Sequence, residues 1–284
     1  MQLINLREAA LTAKTVRRGK IVVFRPIRGT LGAQDELEKV IRSILKAGNK
    51  TATDYILPAA YSLKSELTTD DTSLFSSAIQ FLKKTFMNAI IAVAASYTLQ
   101  SIFSKEERGF SKRFSQEVKR SSGIDLGYLL LEEDLRNHMD LALQRTVSLI
   151  TGLTDDVVKR VETTLIDGIL KGLSNTALAK ILSDAFGWGR KRAKLIARDQ
   201  MASWNAELNK TRQQQLGIKE YIWSTSMDER VRGRPKDEGG KYPNAKPSHW
   251  AREGDTFKWS DPPSDGHPGE PINCRCIARA KIRF

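Results

Sequence analysis

Cysteine is scarce in this sequence, with two residues among 284. They are Cys274 and Cys276, two positions apart near the end of the sequence. Side chains at that spacing on an extended strand stand roughly 6.5–7 Å apart, so a disulfide between them would be strained. A disulfide framework of the kind found in small secreted domains is therefore excluded. The cysteine usage instead indicates a reducing compartment.

Long apolar stretches are also lacking. The most apolar run, residues 87–97, is shorter than the roughly 20 residues that a membrane-spanning helix takes. We expect this run to form a buried core helix. The first ten residues show no basic segment that leads into an apolar run, so no secretory signal is predicted. Together these features predict a soluble protein without a membrane span.

Acidic residues are fewer than basic residues. The 46 Lys and Arg outnumber the 33 Asp and Glu, which gives a formal net charge of +13. Such an excess implies a polyanionic partner, most often nucleic acid and less often an acidic protein or a membrane surface. A basic surface without a binding partner is the alternative. No base-reading motif is present, so any contact with nucleic acid is expected to be non-specific.

Two basic clusters are candidates for DNA binding. The first surrounds a short β-prone run at 21–24 and is either a solvated face or an arm that docks on a polyanion. The second occupies the first turns of a helix predicted to begin at residue 190, where positive charge opposes the helix dipole and so favours an external anion. The predicted DNA-binding residues are Arg17, Arg18 and Lys20 in the first cluster, and Arg190, Lys191, Arg192, Lys194 and Arg198 in the second.

Periodicity and helix-capping residues predict an α+β fold. The N-terminal half, 1–149, is predicted to be largely helical, with a charged surface segment at 104–124. The C-terminal domain, 150–284, is predicted to contain three helices packed on a small antiparallel sheet. These helices start near residues 154, 174 and 190 and end at Gly172, at Gly187 and Gly189, and at Gly217. Two short strands, at 220–225 and 272–281, flank a polar loop.

The stretch 221–276 contains both cysteines and two of the three histidines. A zinc site would use His249, His267, Cys274 and Cys276, whose side chains suit tetrahedral zinc. The Cys-x-Cys spacing argues against it, because on a regular strand the two sulfurs would lie too far apart to share a metal. We therefore expect no metal and no cofactor. Both cysteines would pack as small apolar groups on one face, with Arg275 on the other.

A hydrolytic site is a second interpretation of the same stretch. His249 or His267 with Asp228 or Asp265 would be chemically adequate for general acid–base work, as in a nuclease. Such pairs also arise by chance in polar loops, and the sequence contains no Walker-type loop, His-Glu-x-x-His or Gly-x-Ser-x-Gly. A non-enzymatic protein is therefore predicted, with a nuclease or toxin-like domain using His249 or His267 and Asp228 as the alternative.

A structural role is the third interpretation and the one that the residues favour. Asp228, Arg230 and Arg232 would fix the turn after the first strand, with Arg230 paired to Asp228 or Asp265. Three glycines would supply the loop conformations in which a side chain cannot be accommodated. A small aromatic core would complete the unit. The glycines are Gly254, Gly266 and Gly269, and the aromatic residues are Tyr221, Trp223, Trp250 and Trp259.

The order of these residues resembles the phage head morphogenesis family named after the minor head protein F of phage Mu, over about residues 150–284. Many members carry a further Cys-x-x-Cys after the Asp-x-Arg, where this sequence reads Gly-Arg-Pro-Lys at 233–236. This departure weakens a zinc-knuckle interpretation. The resemblance is carried by Ile-Ala-Arg-Asp at 196–199, Asn205, Arg212, Tyr221, Trp223, Asp228, Arg230, Arg232, His249, Gly254, Asn273, Cys274, Arg275 and Cys276.

The resemblance implies a minor capsid protein of a tailed double-stranded DNA phage. Its expected partners are the portal protein, a major capsid or scaffolding protein, and packaged DNA bound without sequence specificity. Its expected location is the capsid interior near the portal vertex of the virion, and the host cytoplasm during assembly. The net charge of +13, which follows from composition and not from the resemblance, agrees with contact to DNA.

Overall fold

The computed structural model describes residues 5–65, 73–126 and 135–284. Helices dominate these ranges, and four short strands form one antiparallel sheet, which confirms the predicted α+β class. The elements are α1 (Leu6–Thr12), β1 (Ile21–Val23), α2 (Leu31–Thr51), a π-helical segment (Ala52–Ile56), α3 (Leu57–Ser65), α4 (Ser73–Ala95), α5 (Thr98–Ser122), α6 (Arg136–Leu170), α7 (Asn175–Gln215), β2 (Glu220–Ser224), a 3₁₀ turn (Trp250–Arg252), β3 (Thr256–Lys258) and β4 (Ile277–Arg283).

Helices α6 and α7 are longer than the sequence predicts. The helix start predicted near residue 154 lies inside α6, and Gly187 and Gly189 lie inside α7, so this start and the helix ends expected at these two glycines are wrong. Packing explains why a glycine occupies position 189 inside the helix, because a Cβ there would lie 2.9 Å from Cγ2 of Val157. The C-terminal part of the chain consequently contains two long helices rather than three short ones. Arg190 lies in the middle of α7, and the predicted helix start at this residue is wrong.

Other helix ends agree with the predicted capping residues. α6 ends at Leu170, and Gly172 follows with a positive φ of 67°. The hydroxyl of Ser174 accepts a hydrogen bond from the backbone N–H of Ala177 at 3.2 Å, which caps the start of α7. α7 ends at Gln215, and Gly217 has a φ of 68°. Glycine adopts this left-handed conformation without the Cβ penalty of other residues.

The charged segment at 104–124 forms most of α5 and is not a surface segment. Its buried glutamates have basic partners. The carboxylate of Glu117 accepts hydrogen bonds from the backbone N–H of Arg25 at 2.7 Å and from the guanidinium of Arg120. Burial alone would raise the pKa of Glu117, but these hydrogen bonds outweigh it and the pKa is lowered. The acidic residues of α5 therefore hold neighbouring segments in place.

The chain divides into two compact units. One comprises Met1–Ala33, Phe103–Ala142 and Asp199–Phe284, and the other Gln34–Ile102 and Leu143–Arg198. The boundaries between them fall within α2, α5, α6 and α7, so the units are discontinuous in sequence and differ from the predicted ranges 1–149 and 150–284. Whether those two ranges act as separate domains stays a prediction. Below, the first unit is called the sheet unit and the second the helical unit.

In the helical unit, aromatic side chains fill the space between helices. The rings of Phe86 on α4 and Phe186 on α7 lie 6.4 Å apart. A Cβ at Gly48 of α2 would lie 2.2 Å from the ring of Phe86. Gly48 therefore belongs to the interior of α2, where the ring takes the place of a side chain, and it does not interrupt the helix.

α4 is the most apolar helix of this unit. It contains 23 residues, because apolar residues continue on the N-terminal side of the run at 87–97. By length and composition α4 could cross a membrane, and 28% of its most apolar stretch is buried. Leu74, Met87 and Ile91 are at least half exposed, so the expected core helix is only partly buried. A long apolar helix occurs in soluble cores as well, and the absence of a membrane span stays a prediction.

The sheet has the strand order β1-β4-β2-β3, with every neighbouring pair antiparallel. Large side chains on one strand stand opposite small side chains on the neighbouring strand. Tyr221 of β2 stands opposite Ala280 of β4, and Trp223 stands opposite Ala278. All four are buried, whereas the residues between them are less so, as period-2 alternation requires. The small alanines leave room for the aromatic rings on this face.

Candidate functional site

An aromatic cluster forms the floor of the site. Tyr221 and Trp223 are fully buried, and Trp259 is 8% exposed. The ring centroids of Tyr221 and Trp259 lie 4.4 Å apart. Trp250, which the sequence predicts in the same core, instead stacks under the guanidinium of Arg234 at 4.8 Å. Three of the four predicted aromatic residues therefore share this core.

His249 lies on this floor and is held from one side. Its ring meets Trp223 edge-on with centroids 5.1 Å apart, and the residue is 2% exposed. Its Nε2 lies 2.8 Å from Oδ2 of Asp265. Arg252 donates to the other oxygen of Asp265 at 2.6 Å and stacks over Trp223 at 4.9 Å. These contacts orient the imidazole so that Nδ1 faces away from the carboxylate.

Nδ1 of His249 faces both cysteines. The sulfurs of Cys274 and Cys276 each lie 3.6 Å from it, and the three atoms lie within 4.8 Å of one another. The expectation that the sulfurs are too far apart is wrong, because β4 begins only at Ile277 and both cysteines precede it. Asn273 has a positive φ of 57° at this point, so the chain bends before the strand begins.

The proton affinities of the three groups are strongly perturbed. The pKa of the Cys274 thiol is lowered to about 4, first by a hydrogen bond from Cys276 and then by His249, against the effect of burial. The pKa of Cys276 is raised by its interaction with Cys274 and by burial. Burial would lower the pKa of His249, but Cys274 and Asp265 outweigh it and raise that pKa. The hydrogen bond between the two cysteines therefore moves the pKa values of their thiols in opposite directions.

His267 is separate from this group. Its Nδ1 lies 2.9 Å from the hydroxyl of Tyr221. Burial lowers the pKa of His267 and raises that of Tyr221, so a neutral imidazole accepts a hydrogen bond from the phenolic O–H. Within the described residues, His267 is not part of the cluster of possible metal ligands around His249. Of the four ligands considered from the sequence, the structure brings three together.

The predicted turn after β2 has a different ion pair from the one expected. Asp228 accepts from the guanidinium of Arg275 at 2.5 Å and from the backbone N–H of Arg230 at 2.9 Å. The side chain of Arg230 is half exposed and lies 3.6 Å from Glu229, so the expected pairing through its guanidinium is wrong. Arg232 donates to the backbone carbonyl of Ile272 at 2.7 Å. Arg275 and Arg232 therefore link this turn to the cysteine segment.

The cysteine segment is also joined to α7. Asp199 accepts from the backbone N–H of Asn273 at 2.6 Å. Asn209 and Gln213 both donate to the carbonyl of Ala278, at 2.7 and 2.9 Å. Sequence reasoning missed the roles of Asn209, Gln213 and Arg252. Asn209 and Gln213 are four residues apart within a helix, which puts both on one face, but no sequence signal relates Arg252 to Asp265.

Glycines shape the loop that carries these residues. Gly254, Gly266 and Gly269 have φ values of 85°, 95° and 93°. A Cβ at Gly269 would also lie 2.4 Å from the Cβ of Ala206 on α7. Gly269 therefore combines a left-handed backbone with close contact to the helix, and a larger residue there would displace the loop.

The predicted DNA-binding residues are divided between the two units. In the helical unit, Arg190, Lys191, Arg192 and Lys194 are exposed on α7, whereas Arg198 is partly buried. In the sheet unit, Arg17, Arg18 and Lys20 are exposed. Backbone hydrogen bonds join this segment to the last residue, with Phe284 N–H donating to the carbonyl of Lys20 at 2.9 Å. The first cluster is thus attached to the sheet and is not a free arm.

The hydrolytic interpretation has little support in the geometry. His249 pairs with Asp265 and not with Asp228, which is bound to Arg275. His249 and His267 are 2% and 4% exposed. A general base must come within hydrogen-bonding reach of a substrate proton, and neither imidazole is open to a nucleic-acid substrate. The pair of His249 and Asp265 orients the imidazole toward the cysteines instead.

Comparison with known proteins finds a match in this part of the chain. Residues 159–279 match the family described as "Phage Mu protein F like protein". This segment is similar to that family, in agreement with the resemblance seen in the sequence, and the family is one of phage head morphogenesis proteins. The matched segment includes every residue of the His249 site and the basic cluster of α7.

A relative in Haemophilus influenzae (strain ATCC 51907 / DSM 11121 / KW20 / Rd), an uncharacterized protein, is 33% identical over 165 residues. The similar region covers 57% of this chain and 34% of the relative, so the chain spans about a third of that protein's length. No solved structure matches the chain.

Proposed function

We propose that this chain is a minor head protein of a tailed double-stranded DNA phage, which binds the portal inside the procapsid and contacts packaged DNA without sequence specificity. The observation that carries the proposal is the match of residues 159–279 to the phage Mu protein F-like family. The net charge of +13 supports the DNA contact, because phosphate neutralisation by Lys and Arg supplies most non-specific affinity.

The exposed basic cluster of α7 supports this contact locally. Arg190 and Lys194 are four residues apart, and Lys191 is three residues before Lys194, so their side chains are neighbours on the helix surface. Among the described residues, no carboxylate forms an ion pair with Arg190, Lys191, Arg192 or Lys194. Uncompensated charge on one helix surface repels itself in the free protein, and a phosphate backbone would relieve that repulsion.

The same geometry supports a non-enzymatic role. The polar groups of the His249 site are hydrogen-bonded to one another and buried. Asp228, which the hydrolytic alternative uses, is bound to Arg275, whereas His249 is paired with Asp265. The site therefore stabilises the loop against β2 and α7, and the exposed charges make the external contacts.

The DNA contact is tested by measuring affinity for double-stranded DNA of two unrelated sequences across a salt series. Wild-type affinity should be equal for both sequences and should fall steeply with salt. Each lost phosphate contact changes the slope of log K against log salt by about 0.9. The variant Lys191→Glu/Lys194→Glu should therefore reduce that slope by about 2. Arg17→Glu/Arg18→Glu tests the cluster in the sheet unit in the same way.

Lys83→Glu/Lys84→Glu is the matched control, because both lysines are exposed on α4 and the change in net charge is the same. It should retain a steeper salt dependence than the α7 variant. Equal losses in the two variants would mean that overall charge, not the α7 cluster, carries the affinity. Failure of the wild type to bind DNA at low salt would contradict the DNA contact.

A further inference from the structure

We propose that His249, Cys274 and Cys276 bind a zinc ion, with Nδ1 and the two sulfurs as ligands. These are the ligand types that zinc prefers. They come from two separate parts of the loop, and all three residues are nearly buried, at 2%, 4% and 8% exposure. Zinc would thus join the 3₁₀ turn that follows His249 to the segment that leads into β4.

The distances agree with a shared metal. With Zn–S of about 2.3 Å and Zn–N of about 2.0–2.1 Å, tetrahedral angles place the nitrogen and each sulfur about 3.6 Å apart. The structure has Nδ1 of His249 at 3.6 Å from the sulfur of Cys274 and at 3.6 Å from the sulfur of Cys276. The two equal distances place the sulfurs symmetrically about Nδ1, as two thiolate ligands of one metal would be.

The outer contacts of His249 are those of a metal-binding histidine. A ligating imidazole almost always donates its second N–H to a carboxylate, which fixes the tautomer and the ring orientation. Nε2 of His249 lies 2.8 Å from Asp265, and Arg252 holds that carboxylate at 2.6 Å. With its proton on Nε2, the imidazole presents the Nδ1 lone pair to the sulfurs.

The sulfurs have hydrogen-bond donors of their own. The backbone N–H of Gly269 points to the sulfur of Cys274 at 3.4 Å. The buried indole N–H of Trp223, otherwise without an acceptor among the described residues, lies toward Cys276. N–H groups directed at sulfur favour the thiolate form, which is the form that ligates metal.

Three protein ligands leave one tetrahedral position. Among the described residues, no fourth His, Cys, Asp or Glu joins the cluster. We infer that a water molecule or a small anion completes the coordination, as in zinc sites with three protein ligands. The missing Cys-x-x-Cys at 233–236 does not prevent this arrangement, because His249 supplies the third ligand from another part of the loop.

The test uses the full chain, purified under reducing conditions. Metal analysis should find one zinc per chain. After removal of the zinc, titration with Co²⁺ should produce the absorption of tetrahedral cobalt together with sulfur-to-cobalt charge transfer, and stoichiometric Zn²⁺ should abolish both. Absence of charge transfer in the wild type, or of any bound metal, would overturn the proposal without any variant.

Variants locate the ligands. Cys274→Ser, Cys276→Ser and His249→Ala should each lose the charge-transfer band or the bound metal. Asp265→Asn should still bind, with an affinity lower by 10–100-fold, the usual effect of an outer-shell change. His267→Gln should bind as the wild type does, although His267 is equally buried. Circular dichroism confirms that each variant is folded, and full metal binding by folded Cys276→Ser would contradict the assignment.

Discussion

The ion pair between Arg212 and Glu107 offers the sharpest test of the interior of the sheet unit. Arg212 has a fully buried side chain, and its Nη2 lies 2.8 Å from Oε1 of Glu107. Its other nitrogens donate to the hydroxyl of Ser111 at 3.1 Å and to the side chain of Gln215 at 2.9 Å. Arg212→Met keeps the apolar stem and removes all of these donors.

The expected loss is large because Glu107 would stay behind as a buried charge without its partner. Breaking a buried pair in this way costs about 3–5 kcal/mol. For a chain of this size, each kcal/mol corresponds to roughly 2–4 °C, so the melting temperature should fall by roughly 6–20 °C. The double variant Arg212→Met/Glu107→Gln leaves no unpaired charge, and it should lose less than Arg212→Met alone.

The assay is urea-induced unfolding of the wild type, the two single variants and the double variant, which together form a thermodynamic cycle. Arg42→Met is the control, because the Arg42 side chain is 47% exposed in its pair with Glu38. That change should cost at most about 1 kcal/mol. If Arg212→Met were no more costly than the control, or if the double variant lost the sum of both single changes, the burial argument would be refuted.

Two further predictions concern the sheet unit. Glu117→Gln should destabilise the protein at neutral pH by about 1–3 kcal/mol. The pKa of Glu117 is lowered in the folded protein. The stability difference between the wild type and Glu117→Gln should therefore stay constant above pH 4.5, the ordinary pKa of the group, and shrink as the pH falls through the pKa of the folded protein. Urea midpoints measured across this pH range would show the change. Gly269→Ala should cost more stability than Gly239→Ala, since both have a positive φ but only the first Cβ would meet a neighbour within 4 Å. Equal losses, read from thermal melts, would assign the effect to backbone strain alone.

The fold class was predictable because it depends on local patterns. Alternation in β2 and the β-branched run of β1 indicate strands, and Gly172 and Gly217 mark helix ends through their left-handed backbone. Gly189 has the same local appearance but lies inside α7. Its role is set by the nearby Val157, a contact that no local pattern reveals.

The chemistry of the site was predictable only in part for the same reason. The sequence identifies His249, Cys274 and Cys276 as possible ligands, but the expected distance between the sulfurs is that of a regular strand. In the structure β4 begins after both cysteines, so the strand spacing does not apply to them. Arg252 and Asp265 are 13 residues apart, so their pairing depends on the path of the loop.

The position of the basic cluster was predicted, but its context was not. Lys191 and Lys194 are exposed as expected, yet they lie within a 41-residue helix and not at a helix start. The helix dipole acts within the first and last turns, so it does not account for the cluster. These lysines are exposed and have no carboxylate partner in the part of the chain that the structure describes, and these two observations support binding of an external anion.

The proposed role in head assembly is tested most directly by affinity purification of this chain after co-expression with the portal protein of its own phage. The account predicts that the assembled portal ring co-purifies with the chain, and that the portal of an unrelated phage does not. An intact portal ring that leaves the chain behind, under conditions where both are folded, would contradict it.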